Sequence, residues 1–127
     1  MARFTIKWHK TTLSALDTND DYYFYAFSRG SNLLYIGNSI RQDVKDRIPQ
    51  NIRRFNLDPR GLTIWLGEIS DTSYQRITKQ MILDTEALLI NSNQPNLNTQ
   101  CKANYNGRGN LTVECLDMPL LLTLIKS

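Results

Sequence analysis

The residue whose position most directly suggests chemistry is Glu86. Its helical neighbours at i−4, i−3, i+3 and i+4 are Ile82, Leu83, Leu89 and Ile90, so a carboxylate projects from an apolar helix face. An ionised carboxylate in such surroundings costs free energy unless a cation or strong hydrogen-bond donors meet it. The pattern therefore predicts a binding partner for Glu86. The alternatives are that its side chain reaches solvent at the edge of the stripe or pairs with an arginine.

Two tyrosines, Tyr25 and Tyr35, lie in neighbouring predicted strands. Residues 22–28 are rich in aromatics, residues 33–37 are mostly apolar, and the polar break around Gly30 predicts a hairpin turn between them. An odd loop centred on Gly30 places Tyr25 opposite Tyr35 with both phenols on one face, whereas an even loop separates them. Aromatic residues in strands are mostly core residues, so packing is the alternative role for each tyrosine.

Positive charge is concentrated between residues 41 and 60. This stretch and the net charge of +3 are compatible with a polyanionic partner, and equally with a solvated helix face. The basic residues of the stretch are Arg41, Lys45, Arg47, Arg53, Arg54 and Arg60.

Length and composition predict one globular domain over residues 1–127. The chain is 41% hydrophobic and 21% charged, which provides apolar material for one core. One histidine and two cysteines, Cys101 and Cys115, are too few for a Cys/His zinc site, so free thiols in a reducing compartment are expected. The N-terminus lacks an apolar secretory core, and the apolar residues 118–125 are too short to span a membrane. We therefore expect a cytoplasmic protein without a membrane partner.

The elements that must position these side chains follow from hydrophobic periodicity. The domain proper is expected to begin near Tyr22, after a short strand and a polar loop. Pro49 should divide or kink the first helix, and Asp71, Thr72 or Ser73 should cap the second. The predicted order is strand 4–8, hairpin strands 22–28 and 33–37, helix 40–55, strand 62–69, helix 73–91 and strand 111–116.

Several motifs occur together in an order that resembles the GIY-YIG nuclease superfamily. Tyr23-Phe24-Tyr25 stands at the first motif, and Tyr35-Ile36-Gly37 matches the second letter for letter. A basic helix follows, and then Glu86, Pro95 and Asn98 at a spacing similar to the family's. The match covers residues 23–98. Four elements in order and at spacing are far more specific than the tripeptide alone.

The resemblance implies an α+β fold, a small three-stranded antiparallel sheet flanked by helices, with short N-terminal and C-terminal additions. It also implies a metal-dependent endonuclease that hydrolyses DNA phosphodiester bonds, with low or structure-based specificity. One divalent ion, Mg²⁺ or Mn²⁺, would suit a single carboxylate and several waters. RNA is an alternative substrate, and a homodimer would supply a longer footprint on DNA.

The resemblance further implies a role for each site residue. Glu86 would bind the ion that polarises the scissile phosphate. Arg47 would contact that phosphate, Tyr25 and Tyr35 would position or deprotonate the attacking water, and Asn98 would support the site by hydrogen bonding. The remaining basic residues would bind nucleic acid, namely Arg41, Lys45, Arg53, Arg54 and Arg60.

Three features depart from the family pattern. Tyr23 stands at the first glycine of the first motif. Arg47 lies two residues later than expected, which leaves Lys45 or Arg41 as alternatives for the catalytic basic residue. Asn51 lies four residues after Arg47, where many relatives have His or Tyr, and an amide cannot serve as a base.

Two other classes of function are compatible with these departures. One is a nucleic-acid-binding module that has lost turnover. The other is a small α/β interaction protein in which the Tyr-Ile-Gly triplet is fortuitous. A carboxylate among four apolar neighbours favours the enzyme, because a module without metal chemistry has little physical reason to keep Glu86 there.

Overall fold

The computed structural model describes residues 2–16, 22–40, 44–73, 76–107 and 109–127. Within these ranges, no helix combines the length and the apolar character needed to cross a membrane. The elements in chain order are β1 (Ala2–Thr11), β2 (Tyr22–Arg29), β3 (Asn32–Asn38), α1 (Val44–Arg54), β4 (Thr63–Thr72), α2 (Lys79–Asn93), β5 (Leu111–Leu116) and β6 (Leu124–Lys126).

The strands of the described chain form one six-stranded mixed sheet in the order β3-β2-β4-β1-β5-β6. The pairing of β1 with β5 is parallel, and the other four are antiparallel. The expected three-stranded antiparallel sheet was therefore wrong in strand number and in sheet type. The β3-β2-β4 portion is antiparallel, but the sheet continues through β1 to β5 and β6.

The main difference lies in β1, which was expected to be a short N-terminal addition before the domain proper. It pairs with β4 along one side and with β5 along the other. The alternation of Phe4, Ile6 and Trp8, all buried, explains its place. Burial of three large apolar side chains on one face of a strand stabilises the fold most when that strand lies between two others and is covered by a helix.

Each face of the sheet carries its own apolar cluster. Successive residues of β2 alternate between them: Phe24 and Ala26 belong to the cluster under α2, whereas Tyr25 and Phe27 belong to the cluster under α1. The two helices therefore cover opposite faces, and the run of buried residues in β2 follows from burial on both sides.

Helix α1 is one helix that continues through Pro49, not the two helical pieces that were the alternative to a kink. Proline at this position removes one backbone hydrogen bond, to the carbonyl of Lys45. Val44, Ile48 and Ile52, spaced at i and i+4, are buried against the sheet. Packing of this apolar face offsets the cost of the proline.

Helix α2 begins six residues later than the sequence suggested. Asp71 and Thr72, two of the expected caps, belong to β4 instead. Thr78 is the N-cap, and its hydroxyl accepts a hydrogen bond from the backbone N–H of Met81 at 3.3 Å.

Candidate active site

The hairpin of β2 and β3 brings the two tyrosines to the same face of the sheet. The turn, Gly30-Ser31, is even, and Tyr25 lies opposite Gly37 while Phe27 lies opposite Tyr35. A bulge shifts the register between Phe27 and Ser28. An even turn alone would place Tyr25 and Tyr35 on opposite faces of the sheet. The bulge inserts one extra residue and so returns both side chains to the same face. The direct opposition of Tyr25 and Tyr35 that an odd loop would give does not occur, but both rings pack on the same face, with centroids 6.1 Å apart.

Gly37 allows the Tyr25 ring to lie across β3. A Cβ atom built on Gly37 would lie 2.5 Å from the Cζ and Oη atoms of Tyr25. No side chain fits there unless the tyrosine moves. Close packing against the Tyr25 ring therefore explains why the third residue of the Tyr-Ile-Gly triplet is a glycine in this chain.

Tyr25 is fully buried, and its hydroxyl has a polar partner on α1. Asn51 of α1, also buried, donates a hydrogen bond from Nδ2 to the Tyr25 hydroxyl. Arg47, one helical turn earlier, lies near enough for its positive charge to oppose the rise in the pKa of Tyr25, and the Tyr35 ring contacts the Tyr25 ring. From the sequence, Asn51 was interpreted only as a departure from the family pattern. Its spacing of i+4 from Arg47 was the signal that both side chains share one helix face.

The side-chain amide of Asn98 hydrogen-bonds the backbone of β3. Its Oδ1 accepts a hydrogen bond from Ile36 N–H, and its Nδ2 donates one to Ile36 O, each at 3.0 Å. The backbone N–H groups of Asn96 and Leu97 donate to Leu33 O and Leu34 O. The loop after α2 thus covers the open side of this outer strand. A hydrogen-bonding role for Asn98 agrees with this geometry, and its target is the strand backbone.

Glu86 is half-buried on the apolar face of α2, as its spacing predicted, and Ile82, Leu89 and Ile90 around it are buried. Among the described residues its hydrogen-bond donor is Asn38, whose Nδ2 lies 2.9 Å from Oε2. Burial raises the pKa of Glu86 from 4.5 to about 7, against the smaller lowering effects of Asn38 and Arg47. Asn38 directly follows the Tyr-Ile-Gly triplet, but no pattern in the sequence identified it as a site residue.

These side chains meet in a cleft of about 300 Å³ beside β3. β3 provides Tyr35 and Asn38, α1 provides Arg47 and Arg54, α2 provides Glu86, and the loop after α2 provides Asn98. Phe55, which follows α1 directly, also lines the cleft. Tyr25 does not line the cleft and lies behind Tyr35. The sequence-predicted residues Tyr35, Arg47, Glu86 and Asn98 are thus brought together, with Tyr25 in contact from below.

The other predicted basic residues are dispersed. Arg54 lines the cleft, and its guanidinium carbon lies 4.9 Å from the ring centroid of Phe55. Arg53 faces a separate groove on the far side of α1. Arg60 is exposed and forms an ion pair with Asp58 at 3.1 Å. Lys45 is exposed and does not line the cleft. Arg41 lies outside the described residues.

Both phenols are neutral near pH 7. Burial is the main cause that raises the pKa of Tyr25 far above its ordinary value of 10. The pKa of Tyr35 is raised too, first by burial and then by the charge of Glu86, while Arg47 and Arg54 lower it. A neutral Tyr35 hydroxyl can orient a water molecule or relay a proton, but it is not a standing phenolate base.

Among the described residues that line the cleft, Glu86 is the only Asp, Glu or His. In the part of the chain that the structure describes, no three His, Cys, Asp or Glu side chains lie close enough to hold a metal ion together. The half-buried carboxylate lines an open cleft, and a hard cation such as Mg²⁺ accepts one protein oxygen together with waters and phosphate oxygens. The donor chemistry therefore fits one divalent ion on Glu86.

Comparison with known proteins gives no family assignment. No protein-family model matches the chain, and no significant match is found among curated proteins or solved structures. The resemblance to the GIY-YIG superfamily stays a prediction.

Proposed function

We propose that this protein is a metal-dependent endonuclease that hydrolyses phosphodiester bonds of DNA in the cleft beside β3. One observation carries the proposal: Tyr35, Arg47 and Glu86, distant in sequence, line the same cleft. An acidic residue, a guanidinium and a phenol at one site are the groups needed to hold a cation, bind a phosphate and orient a water. The spacing of these residues in the sequence supports the proposal.

Glu86 would hold one Mg²⁺ or Mn²⁺ ion through its carboxylate, which also accepts the hydrogen bond of Asn38. A divalent ion at this carboxylate supplies polarisation of the scissile phosphate and stabilisation of the leaving oxygen. Asn38 fixes the orientation of the carboxylate, and Asn98 fixes the backbone of Ile36 between the two helices.

Arg47 would bind the non-bridging oxygens of the scissile phosphate and stabilise the negative charge that builds there during attack. The Tyr35 hydroxyl would accept a hydrogen bond from the attacking water and pass its proton to solvent. Hydrolysis consumes this water, breaks one P–O bond and leaves a phosphate monoester and a free hydroxyl. Tyr25, which does not reach the cleft, would act as a positioning residue behind Tyr35 and Arg47.

The proposal includes DNA as the partner, with RNA as an alternative substrate, and Arg54 as a further phosphate contact at the cleft. It includes a cytoplasmic location, which the free cysteines Cys101 and Cys115 support. A homodimer would extend the footprint. A non-catalytic nucleic-acid-binding module is the second candidate. Asn51, which cannot act as a base, is the observation that favours it.

Cleavage of supercoiled plasmid tests the proposal. Wild type with Mg²⁺ or Mn²⁺ at low salt should convert plasmid to nicked or linear product, and chelator or the substitution Glu86→Gln should abolish the conversion. The nicked-to-linear ratio reports whether one or both strands are cut. Salt-dependent DNA binding with no cleavage under either metal would replace the enzyme by the binding module. Absence of both binding and cleavage would remove nucleic acid as the partner.

A further inference from the structure

Phe55 is an aromatic side chain that lies at the cleft and outside the core. It follows α1 directly, lines the cleft beside Arg54 and is half-buried. Within the described part of the chain, it belongs to neither of the two apolar clusters that pack on the sheet. Core packing therefore does not account for a large ring at this position, and a ligand with a flat apolar surface would.

The C-terminal end of α1 fixes the backbone around this ring. The backbone N–H of Asn56 donates to Arg53 O at 3.0 Å. The backbone N–H of Leu57 donates to Ile52 O at 2.9 Å. Asn56 has a φ of 52°, in the left-handed region. Together these features form a Schellman cap, so Phe55 is held in place before any ligand binds, which lowers the entropy cost of binding.

Three flat groups contact one another along this wall of the cleft. The rings of Tyr35 and Phe55 lie with centroids 4.9 Å apart and an interplanar angle of 51°. The guanidinium carbon of Arg54 lies 4.9 Å from the Phe55 centroid, and the Arg54 side chain is exposed. Aromatic faces and guanidinium planes are the surfaces on which proteins stack unpaired nucleobases, with little dependence on which base it is.

We propose that Phe55 and Arg54 form a stacking subsite for one unpaired nucleobase next to the scissile phosphate, so that the substrate is DNA with a single-stranded segment at the cut. The inference rests on the proposed function, because Arg47 and Glu86 in the same cleft would hold that phosphate. In a duplex each base is already paired and stacked, and its faces are not available to a protein ring. A cleft of about 300 Å³ admits a single nucleotide but not a duplex.

Binding in chelator, measured by fluorescence anisotropy, tests the subsite without any cleavage. The probes are a short single-stranded oligonucleotide, the blunt duplex of the same sequence and an abasic strand of the same length. Wild type should bind the single strand about tenfold more tightly than the abasic strand, as expected for stacking of one base, and more tightly than the duplex. Phe55→Leu removes the ring and keeps an apolar side chain. It should lose about tenfold in affinity for the single strand and none for the abasic strand, whereas Phe55→Tyr should bind like wild type.

Arg54→Lys is the second variant, and it decides the test if Phe55→Leu does not fold. It keeps the positive charge and removes the planar guanidinium, so it should weaken single-strand binding several-fold without changing the dependence of binding on salt. Tighter binding of the duplex, or wild-type affinity for the single strand in both Phe55→Leu and Arg54→Lys, would overturn the subsite even if the protein cuts plasmid. Weakened single-strand binding in these variants, together with plasmid that stays intact under either metal, would support the subsite and refute the nuclease.

Discussion

The carboxyl group of Glu86 is held where its charge is disfavoured, and this gives a pH dependence of stability with a definite sign. Its pKa is about 7 in the folded protein and 4.5 as its ordinary value. Between these values the folded state keeps a proton that the unfolded state has lost, so the free energy of unfolding falls as pH rises. Below pH 4.5 both states are protonated, and above pH 7 the penalty is complete.

Glu86→Gln removes this titration and keeps the shape of the side chain. In chelator, the variant should be more stable than wild type at pH 8, by up to about 3 kcal/mol, and equally stable near pH 4. Denaturant unfolding at the two pH values measures the difference. A variant that is less stable than wild type at pH 8 would show that the ionised carboxylate is stabilised by the fold.

Individual residues were predictable where a local pattern fixes their surroundings. The apolar neighbours of Glu86 placed it on the buried face of α2, because side chains three and four residues apart share a helix face. Asn38 was missed, since its contact with Glu86 joins two elements distant in the chain. Tyr25 was predicted to position the attacking water, but its side chain is fully buried. Residue spacing carries no information about which of two neighbouring rings lies nearer to solvent.

At the scale of elements, β3 depends on the loop that follows α2. Asn98 satisfies both the N–H and the C=O of Ile36, which is itself buried. Removing its side chain leaves a buried donor and a buried acceptor without partners. Asn98→Ala should therefore cost about 2 kcal/mol or more in the free energy of unfolding.

Asn96→Ala is the matched control for Asn98. Asn96 is exposed, and its contact with Leu33 O uses the backbone N–H, which alanine keeps. Its effect should stay within about 0.5 kcal/mol. Equal losses for the two variants, measured by denaturant unfolding, would mean that the Asn98 amide does not hold the strand.

Element boundaries show what the sequence could and could not specify. β5 has the predicted bounds 111–116, since its apolar run stands between polar segments. α2 begins at Lys79 and not near Ser73, because β4 extends through Asp71 and Thr72 to pair with β1. Those residues have good capping chemistry, but strand pairing with a distant segment outweighed the local preference.

Over the whole molecule, the prediction failed at long-range pairing. The order hairpin, helix, strand, helix is present as β2-β3-α1-β4-α2. The place of β1 between β4 and β5 depends on contacts with residues far along the chain, and no local pattern fixes which strands are neighbours. An N-terminal segment with alternating apolar side chains, such as Phe4, Ile6 and Trp8, should therefore be predicted as a strand of the main sheet.

The central claim is that the cleft beside β3, and not the general positive charge of α1, cuts DNA. Arg47 lines the cleft, whereas Lys45, two residues earlier on the same helix, does not. The plasmid-nicking rates of Arg47→Gln and Lys45→Gln with Mg²⁺ test this directly. Loss of a donor to the transition state should slow Arg47→Gln by about a hundredfold or more, while Lys45→Gln stays within about threefold of wild type. Equal effects of the two substitutions, or a wild-type rate for Arg47→Gln, would contradict the account.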